Sequence, residues 1–525
     1  MGKKILLMFP PSIRNSYRMN SPPLGLIELG TYLEKNKINV QLLDFFSLVR
    51  RYNEKECIIS DKKINLSFDK KIVSNYLFKD KNHKKISKQV NLLLNLIKHK
   101  NYSSIVFSIS YHSQILSSFI LAKELKKIAN VKIIFGGQVI SNFGLLLFNK
   151  FPFIDFIIKG DGKISLVQLL KNKNKKNYAK IGGLIYRKNN KIVENKIKSY
   201  KNIEFFHPKY DLLDLSLYYD EHKKLTIPYQ ISNLCPFNCS FCSYHVNNCL
   251  ISKPFSIMIK DLKLIINKYN TNDIFFLDST LNVSLKFLNE FCDSIIQNGV
   301  RIKWKALISI SNLNVEVISK MKLAGCRFLF IGIESFSELT LKKMNKNIKI
   351  NKVGRIIRAC NKNKIKIIIS LIAGFPNENI KELNKTIDFI KIYSKYIDIL
   401  RIQRFSLDYN STMFLNPKKF GFKILGCDVL NLILNKDFIK YRLLNNSLEE
   451  TLKIKENSFK TLLRTSYKYN VKRNFFLSIL VPFFIYKFIL DHMNNDSPYN
   501  KTYDLVIYFI KKFINKFFGK DLFLY

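Results

Sequence analysis

The chain has 525 residues, with 87 lysines and arginines against 39 acidic residues and a formal net charge of +48. That length supplies more than one hydrophobic core. The lysine excess is spread along the whole chain, as in 171–176 and 342–349, together with asparagine and isoleucine. AT-rich codon usage produces such a spread, whereas a nucleic-acid-binding domain gathers its charge on one face. No aromatic RNA-binding signature accompanies it, so nucleic acid is the weaker partner. Nine cysteines is an odd number, and the opening apolar run stops at Pro10-Pro11. Both argue against a secreted disulfide framework and for a reduced, cytoplasmic setting.

From the N-terminus, strands are predicted over 5–9, 39–43, 105–109, 131–135 and 154–158, with helices over 24–35 and 116–128. A lysine-rich insertion separates the second strand from the third. Continuous apolar strands separated by helices specify a parallel sheet covered on both faces. Ligands of such sheets bind outside the carboxyl ends of the strands. The turns Gly136-Gly137 and Gly160-Asp161-Gly162 fall there, and glycine lets backbone approach a ligand closely. The pattern alone suits a flavin, a nucleotide or a corrin. This first unit is placed at 1–165.

Residues 166–224 are polar and irregular and read as a linker, with a small hairpin formed by 184–187 and 191–194 around Asn189-Asn190. A second alternation occupies 225–435. Its strands are predicted near 227–232 and over 274–277, 304–308, 328–333, 365–372 and 397–403. Helices are predicted over 256–269, 285–298, 314–324, 351–362 and 380–393. Such a repeat fits a partial TIM-type (β/α) barrel with ligands at the strand ends. Residues 436–525 read as a helical extension. Its apolar run 475–490 is short for a membrane span and is broken by Pro482 and Lys487. The stretch 505–518 is a basic amphipathic helix, which can lie on an anionic membrane or pack on the barrel as a lid; packing is favoured.

The most specific signal directly follows the first strand of the second unit: Cys235-Pro-Phe-Asn-Cys239-Ser-Phe-Cys242, a CxxxCxxC motif. Three thiolates can hold three irons of a 4Fe-4S cluster and leave the fourth open. A zinc site would need Cys249 or His245 as a fourth ligand, and zinc motifs add a second cysteine pair further on, which is missing here. Cys57, Cys292, Cys326, Cys360 and Cys427 stand singly and read as small buried hydrophobes.

The triad, with Phe241 before its third thiol, resembles the radical SAM superfamily. Gly332-Ile333-Glu334-Ser335 is similar to that family's GIES element, and Leu341 with Met344-Asn345-Lys346 to the L..MNK that trails it. Ile372-Ala373-Gly374-Phe375-Pro376 resembles its GxIxGxP element, although Ser370 replaces the first glycine. The resemblance implies S-adenosylmethionine (SAM) contacts from Phe241, Asp278, Glu334, Ile372, Gly374 and Pro376. In it, Glu334 bonds the ribose hydroxyls and Asp278 lies near the amino group. Trp304-Lys305-Ala306 also fits, but Ser309 stands where an arginine is common. Arg401 and Arg404 face SAM or substrate, or pair at the surface.

In the first unit, Ser21-Pro22-Pro23-Leu24-Gly25-Leu26, Gly136-Gly137 and Lys159-Gly160-Asp161-Gly162 look like the cobalamin-binding domain that precedes many radical SAM domains. Gln138, Asp161 and Lys163 depart from its pattern. The implied cobalamin contacts are Pro23, Gly25, Ser110, Gly136, Gly137, Gly160 and Gly162. A DxHxxG motif is absent, which implies cobalamin without that histidine ligand; His112 is a conceivable axial group, but reads first as an ordinary helix-start or solvent-facing histidine.

The resemblance thus implies a Rossmann-like sheet, a partial barrel and a helical extension, holding a 4Fe-4S cluster, SAM and cobalamin. The implied reaction is cleavage of SAM to a 5′-deoxyadenosyl radical and methyl transfer to an unactivated carbon. Radical cyclisation or rearrangement is the alternative, and a zinc-stabilised basic nucleic-acid-binding protein the remote one. The expected partners are a natural-product intermediate, peptide or lipid as substrate, and a flavodoxin or ferredoxin as electron donor.

Overall fold

Short runs of three to nine residues build two largely parallel sheets. The structure, a computed structural model, describes residues 4–12, 21–56, 64–96, 102–172, 177–198, 205–220, 222–233, 235–244 and 252–470. The first sheet contains β1 (Lys4–Phe9), β2 (Val40–Asp44), β3 (Tyr102–Ser108), β4 (Lys132–Gly136), β5 (Phe156–Ile158), β6 (Leu184–Lys188) and β7 (Lys191–Glu194). Its order is β2-β1-β3-β4-β5-β6-β7. Pairing is parallel through β5. Leu7, Val106 and Ile134 stand in one register row, and all are buried.

Two features depart from the sequence reading. The hairpin placed in a linker joins the sheet, because β6 pairs antiparallel with β5 through Ile158 and Leu184. Asn189 and Asn190 both have positive φ, which matches the twist of a two-residue hairpin. The lysine-rich insertion is helical, over Phe45–Glu56, Lys70–Phe78 and Lys84–Leu96. In the last of these, Ile86, Val90 and Leu93 fall at helical spacing and are buried, while the lysines take the outer face.

The second sheet runs β8 (Thr226–Tyr229), β9 (Asp273–Phe276), β10 (Lys303–Ile308), β11 (Cys326–Glu334), β12 (Lys366–Ala373) and β13 (Ile399–Arg404), all parallel and in sequence order. β8 and β13 are its two edges, so the barrel is partial. Trp304 anchors its core, edge-on to Phe276 at 6.0 Å and to Phe291 at 5.5 Å, and donates from Nε1 to the Ala324 carbonyl at 2.8 Å. That bond lets an indole be buried without an orphaned donor.

Beyond the sheet, β14 (Phe422–Cys427) and β15 (Ile439–Leu443) form an antiparallel hairpin that the sequence reading did not anticipate. Helix Leu448–Asn470 follows and packs on β13 and on helix Ile380–Tyr393. The stretches 475–490 and 505–518 lie outside the described residues. Among the described residues, no helix is long and apolar enough to cross a membrane.

Segment 205–220 ties the two sheets together. Tyr218 Oη donates to the buried Asp44 carboxylate at 2.7 Å, and Tyr210 Oη to the Pro228 carbonyl at 2.6 Å. The carboxyl ends of the first sheet are thereby held against the start of the second.

Candidate active site

The cysteine loop leaves β8 held by hydrogen bonds from its neighbours. Asp278, just past β9, is buried and accepts from the Ser232 amide at 2.6 Å, the Ser232 hydroxyl at 3.0 Å and the Ile231 amide at 3.3 Å. The carboxylate expected near the SAM amino group is thus turned onto the backbone that launches the loop. Burial pushes it up to about 6 against those hydrogen bonds. Further along, the Ser240 amide donates to the Met344 carbonyl, Ser240 Oγ to the Lys343 carbonyl, and Asn345 Nδ2 to the Asn238 carbonyl at 2.7 Å. The segment 341–346, which the resemblance picked out, is therefore the clamp of the loop.

Cys235, Cys239 and Cys242 are half-buried free thiols on this one loop. Burial pushes the Cys242 thiol up to about 11 and raises Cys239 too, and the neighbouring thiols add to both shifts. Three soft donors on one loop, two of which resist ionisation alone, are what a polynuclear iron centre satisfies by supplying positive charge. Among the described residues, no three Cys, His, Asp or Glu side chains stand close enough to hold a single ion. His245 and Cys249, the candidate fourth zinc ligands, lie outside the described residues.

Glu334 ends β11 in a strained conformation, φ +74°, at a bulge in the pairing with β12. A left-handed non-glycine residue costs about 1–2 kcal/mol, and such strain gathers at functional positions. Its carboxylate is mostly buried, 3.4 Å from Lys346 Nζ, which also donates to the Gly332 carbonyl at 2.7 Å and lies 6.0 Å from the Phe241 ring. Burial raises the Glu334 carboxyl, opposed by Lys346 and Arg401. A Cβ on Gly332 would stand 2.5 Å from Glu334 Oε1, so a side chain there would displace the carboxylate. Lys346 is the residue of this cluster for which the sequence reading gave no role: it joins Phe241 to Glu334.

The element 372–376 turns at Gly374, φ +71°, directly beneath helix Leu448–Asn470, where an added Cβ would be 2.7 Å from Lys455 Cα. Pro376 is buried and Ile372 half-buried. Arg404 pairs with Glu456 of that helix through Nε at 2.7 Å and Nη2 at 3.1 Å. It therefore takes the surface-pairing role. Arg401 turns toward Gln403, whose amide oxygen accepts from Nε at 2.8 Å in the orientation that satisfies both side chains.

At the carboxyl ends of β3, β4 and β5 lies a cavity of about 500 Å³. Gly25, Ser110, Gly136, Gly137, Gly160 and Gly162 all line it. Pro23 sits just outside, as the residue before helix Leu24–Lys35. Gly137 (φ +102°) has no room for a side chain, since a Cβ would meet the Ile109 carbonyl oxygen at 2.6 Å. On one wall Lys163 Nζ bridges Glu28 at 3.0 Å and Asp161 at 3.3 Å, so two of the three departures from the family pattern join Glu28 in an ion cluster. Burial raises the Glu28 carboxyl, but Lys163 and Lys253 outweigh it and hold it below its usual range. Gln230, Asn233 and Tyr244, which flank the cysteine loop, also line the cavity. His112 is exposed, edge-on to Phe143, and does not line the cavity. A glycine-floored cavity of this size at strand ends fits a large planar cofactor resting on backbone.

Residues 229–390 match the model of the radical SAM superfamily. An uncharacterized methyltransferase of Pyrococcus horikoshii is 30% identical over 288 residues, covering 53% of this chain and 62% of that protein. The anaerobic magnesium-protoporphyrin IX monomethyl ester cyclase of Cereibacter sphaeroides is 23% identical over 291 residues, covering 52% and 47%. The chain thus spans less than two thirds of the length of these curated relatives. Among solved structures, the radical SAM methyltransferase TsrM of Kitasatospora setae aligns with a TM-score of 0.60 at 15% identity, over 81% of this chain and 79% of that one. The cobalamin-dependent SAM radical enzyme OxsB aligns at 0.57 and 17%, over 80% and 56%. The chain carries a radical SAM domain, joined to a first parallel sheet in the fold that TsrM and OxsB share.

Proposed function

We propose that this chain is a radical SAM enzyme that uses cobalamin to transfer a methyl group to an unactivated carbon. The observation that carries this reading is the shared opening: the cavity on the first sheet is bounded by the residues that flank the cysteine loop. A 4Fe-4S cluster on Cys235, Cys239 and Cys242 supplies, when bound, the electron that cleaves SAM, and cobalamin supplies a methyl reservoir. The remaining work falls to the chain. Glu334, aimed by Lys346, accepts hydrogen bonds from two adjacent ribose hydroxyls, a task that suits a carboxylate. Phe241, Ile372, Gly374 and Pro376 wall the adenosyl group. Asp278 acts from behind, fixing the turn at Ile231 and Ser232. Gly25, Ser110, Gly136, Gly137, Gly160 and Gly162, with Pro23 at the helix start, form the floor and rim on which cobalamin rests.

A substrate and a reductant are required by any radical SAM enzyme. A natural-product intermediate, peptide or lipid fits as substrate, and an acidic flavodoxin or ferredoxin fits the diffuse positive charge as donor. Cysteines free of disulfides among the described residues suit the reducing cytoplasm. A second reading, radical cyclisation, is favoured by the relatives that are cyclases by name. Anaerobic incubation with methyl-labelled SAM, methylcobalamin and dithionite tests the proposal. Formation of 5′-deoxyadenosine and label in the product are expected. An unlabelled, rearranged product selects the second reading, and no 5′-deoxyadenosine from cluster-loaded protein overturns both.

A further inference from the structure

A hydrogen-bond chain runs from the cavity wall to the cysteine loop. Helix Gln138–Lys150 begins at the glycine floor, and Gln138 and Ser141 line the cavity. The next residue, Asn142, donates from Nδ2 to Ser243 Oγ at 3.1 Å. Ser243 is buried and directly follows Cys242. Its hydroxyl and its amide both donate to one oxygen of Asp408, at 2.6 Å and 3.1 Å. Asp408 comes from the loop after β13, 165 residues away in sequence. Its neighbour Tyr409 packs on Phe143 at 5.2 Å, beside Asn142 on the same helix. The carboxylate is therefore held in place from both domains, next to a cysteine.

We propose that Asp408 is a positioning residue for the cysteine loop and that its fixed negative charge lowers the reduction potential of the cluster held there. This rests on the cluster reading above. The physical reason is direct. Reduction adds one electron to the cluster, and a half-buried carboxylate bonded to the buried residue after Cys242 opposes it. The Tyr244 amide, which donates to Cys242 Sγ at 3.4 Å, acts in the other direction. Asn142 relays the position of the cavity wall to the same loop.

The test is a dithionite titration, followed by electron paramagnetic resonance, of anaerobically reconstituted protein with its iron content measured. Asp408→Asn keeps an oxygen for Ser243 but removes the charge. It raises the midpoint by an amount equal to roughly tenfold in the reduction equilibrium, about 59 mV for one electron. Asp408→Glu restores most of the wild-type value. Asn142→Asp, of equal shape, gives up the bond donated to Ser243 Oγ, adds a charge on the other side of Ser243 and lowers the midpoint. An unchanged midpoint in Asp408→Asn at full iron content overturns the proposal, as does an equal rise in Asp408→Glu, which would mark an effect of shape. If Asp408→Asn loses the cluster, Asn142→Asp decides: a lower midpoint supports the proposal and an unchanged one overturns it. A wild-type chain that takes up no iron sinks instead the cluster reading on which this one rests.

Discussion

Replacing Gly374 by alanine probes the contact between the SAM-site turn and helix Leu448–Asn470. Two costs are visible. The residue has φ +71°, a conformation that costs an L-amino acid about 1–2 kcal/mol. The new Cβ would also stand 2.7 Å from Lys455 Cα and 3.1 Å from its carbonyl oxygen. Those are backbone atoms of a helix, and no rotamer change moves them aside. Overpacking of this kind costs about 1–3 kcal/mol, so the sum is about 2–5 kcal/mol. With about 2–4 °C lost per kcal/mol in a domain of 150–250 residues, unfolding falls by roughly 4–20 °C. The helix has to lift or the turn has to drop, so SAM affinity falls as well. Gly426→Ala is the control, since its Cβ meets nothing within 4 Å. Thermal unfolding of both variants checks the argument. A Gly374→Ala protein that unfolds within a degree of wild type would show that the helix does not rest on this turn.

Other outcomes follow from the same geometry. Gly25→Ala adds a Cβ into open space on the cavity wall and leaves thermal unfolding unchanged while weakening retention of cobalamin; Gly137→Ala lowers both, because its Cβ meets the Ile109 backbone. Absorbance of bound cobalamin and melting curves separate the two. Burial pushes Glu378 up to about 7 against its hydrogen bond from Ser335. A raised folded pKa means that its stabilising contribution is present below the unfolded value and lost as pH rises through 7. Glu378→Gln therefore gains on wild type between pH 5 and 8, and a gap in melting temperature that shrinks over that range refutes it. For the Arg404–Glu456 pair, a double-mutant cycle yields a coupling of about 0.5–1 kcal/mol, as expected for a half-exposed bidentate pair. A coupling of zero would mean that the pair does not hold the helix.

What could be read from the sequence was local. The strands 5–9, 131–135 and 274–277 are continuous apolar runs bounded by turns, and they lie within a residue or so of the observed β1, β4 and β9. The cysteine spacing and the glycine turns are also local patterns, and six of the seven expected cobalamin contacts meet on one cavity. The unread features depend on partners far along the chain. The resemblance put Asp278 near the SAM amino group, yet its oxygens are held by Ile231 and Ser232 some 46 residues earlier. Lys346 matched a motif without revealing that its ammonium would reach Glu334. Asp408 and Ser243 carry no motif at all, and only tertiary structure brings them together. The helices of the lysine-rich insertion were masked by composition, since their apolar stripe is narrow against so much charge.

The central claim is that Cys235, Cys239 and Cys242 hold a 4Fe-4S cluster with an open iron. Iron and acid-labile sulfide, measured after anaerobic reconstitution of the wild-type chain and of each Cys→Ala variant, test it most directly. The wild type should hold about four of each, and each variant should lose most of both. One tightly bound zinc with no sulfide, or iron uptake indifferent to the three substitutions, would contradict the account.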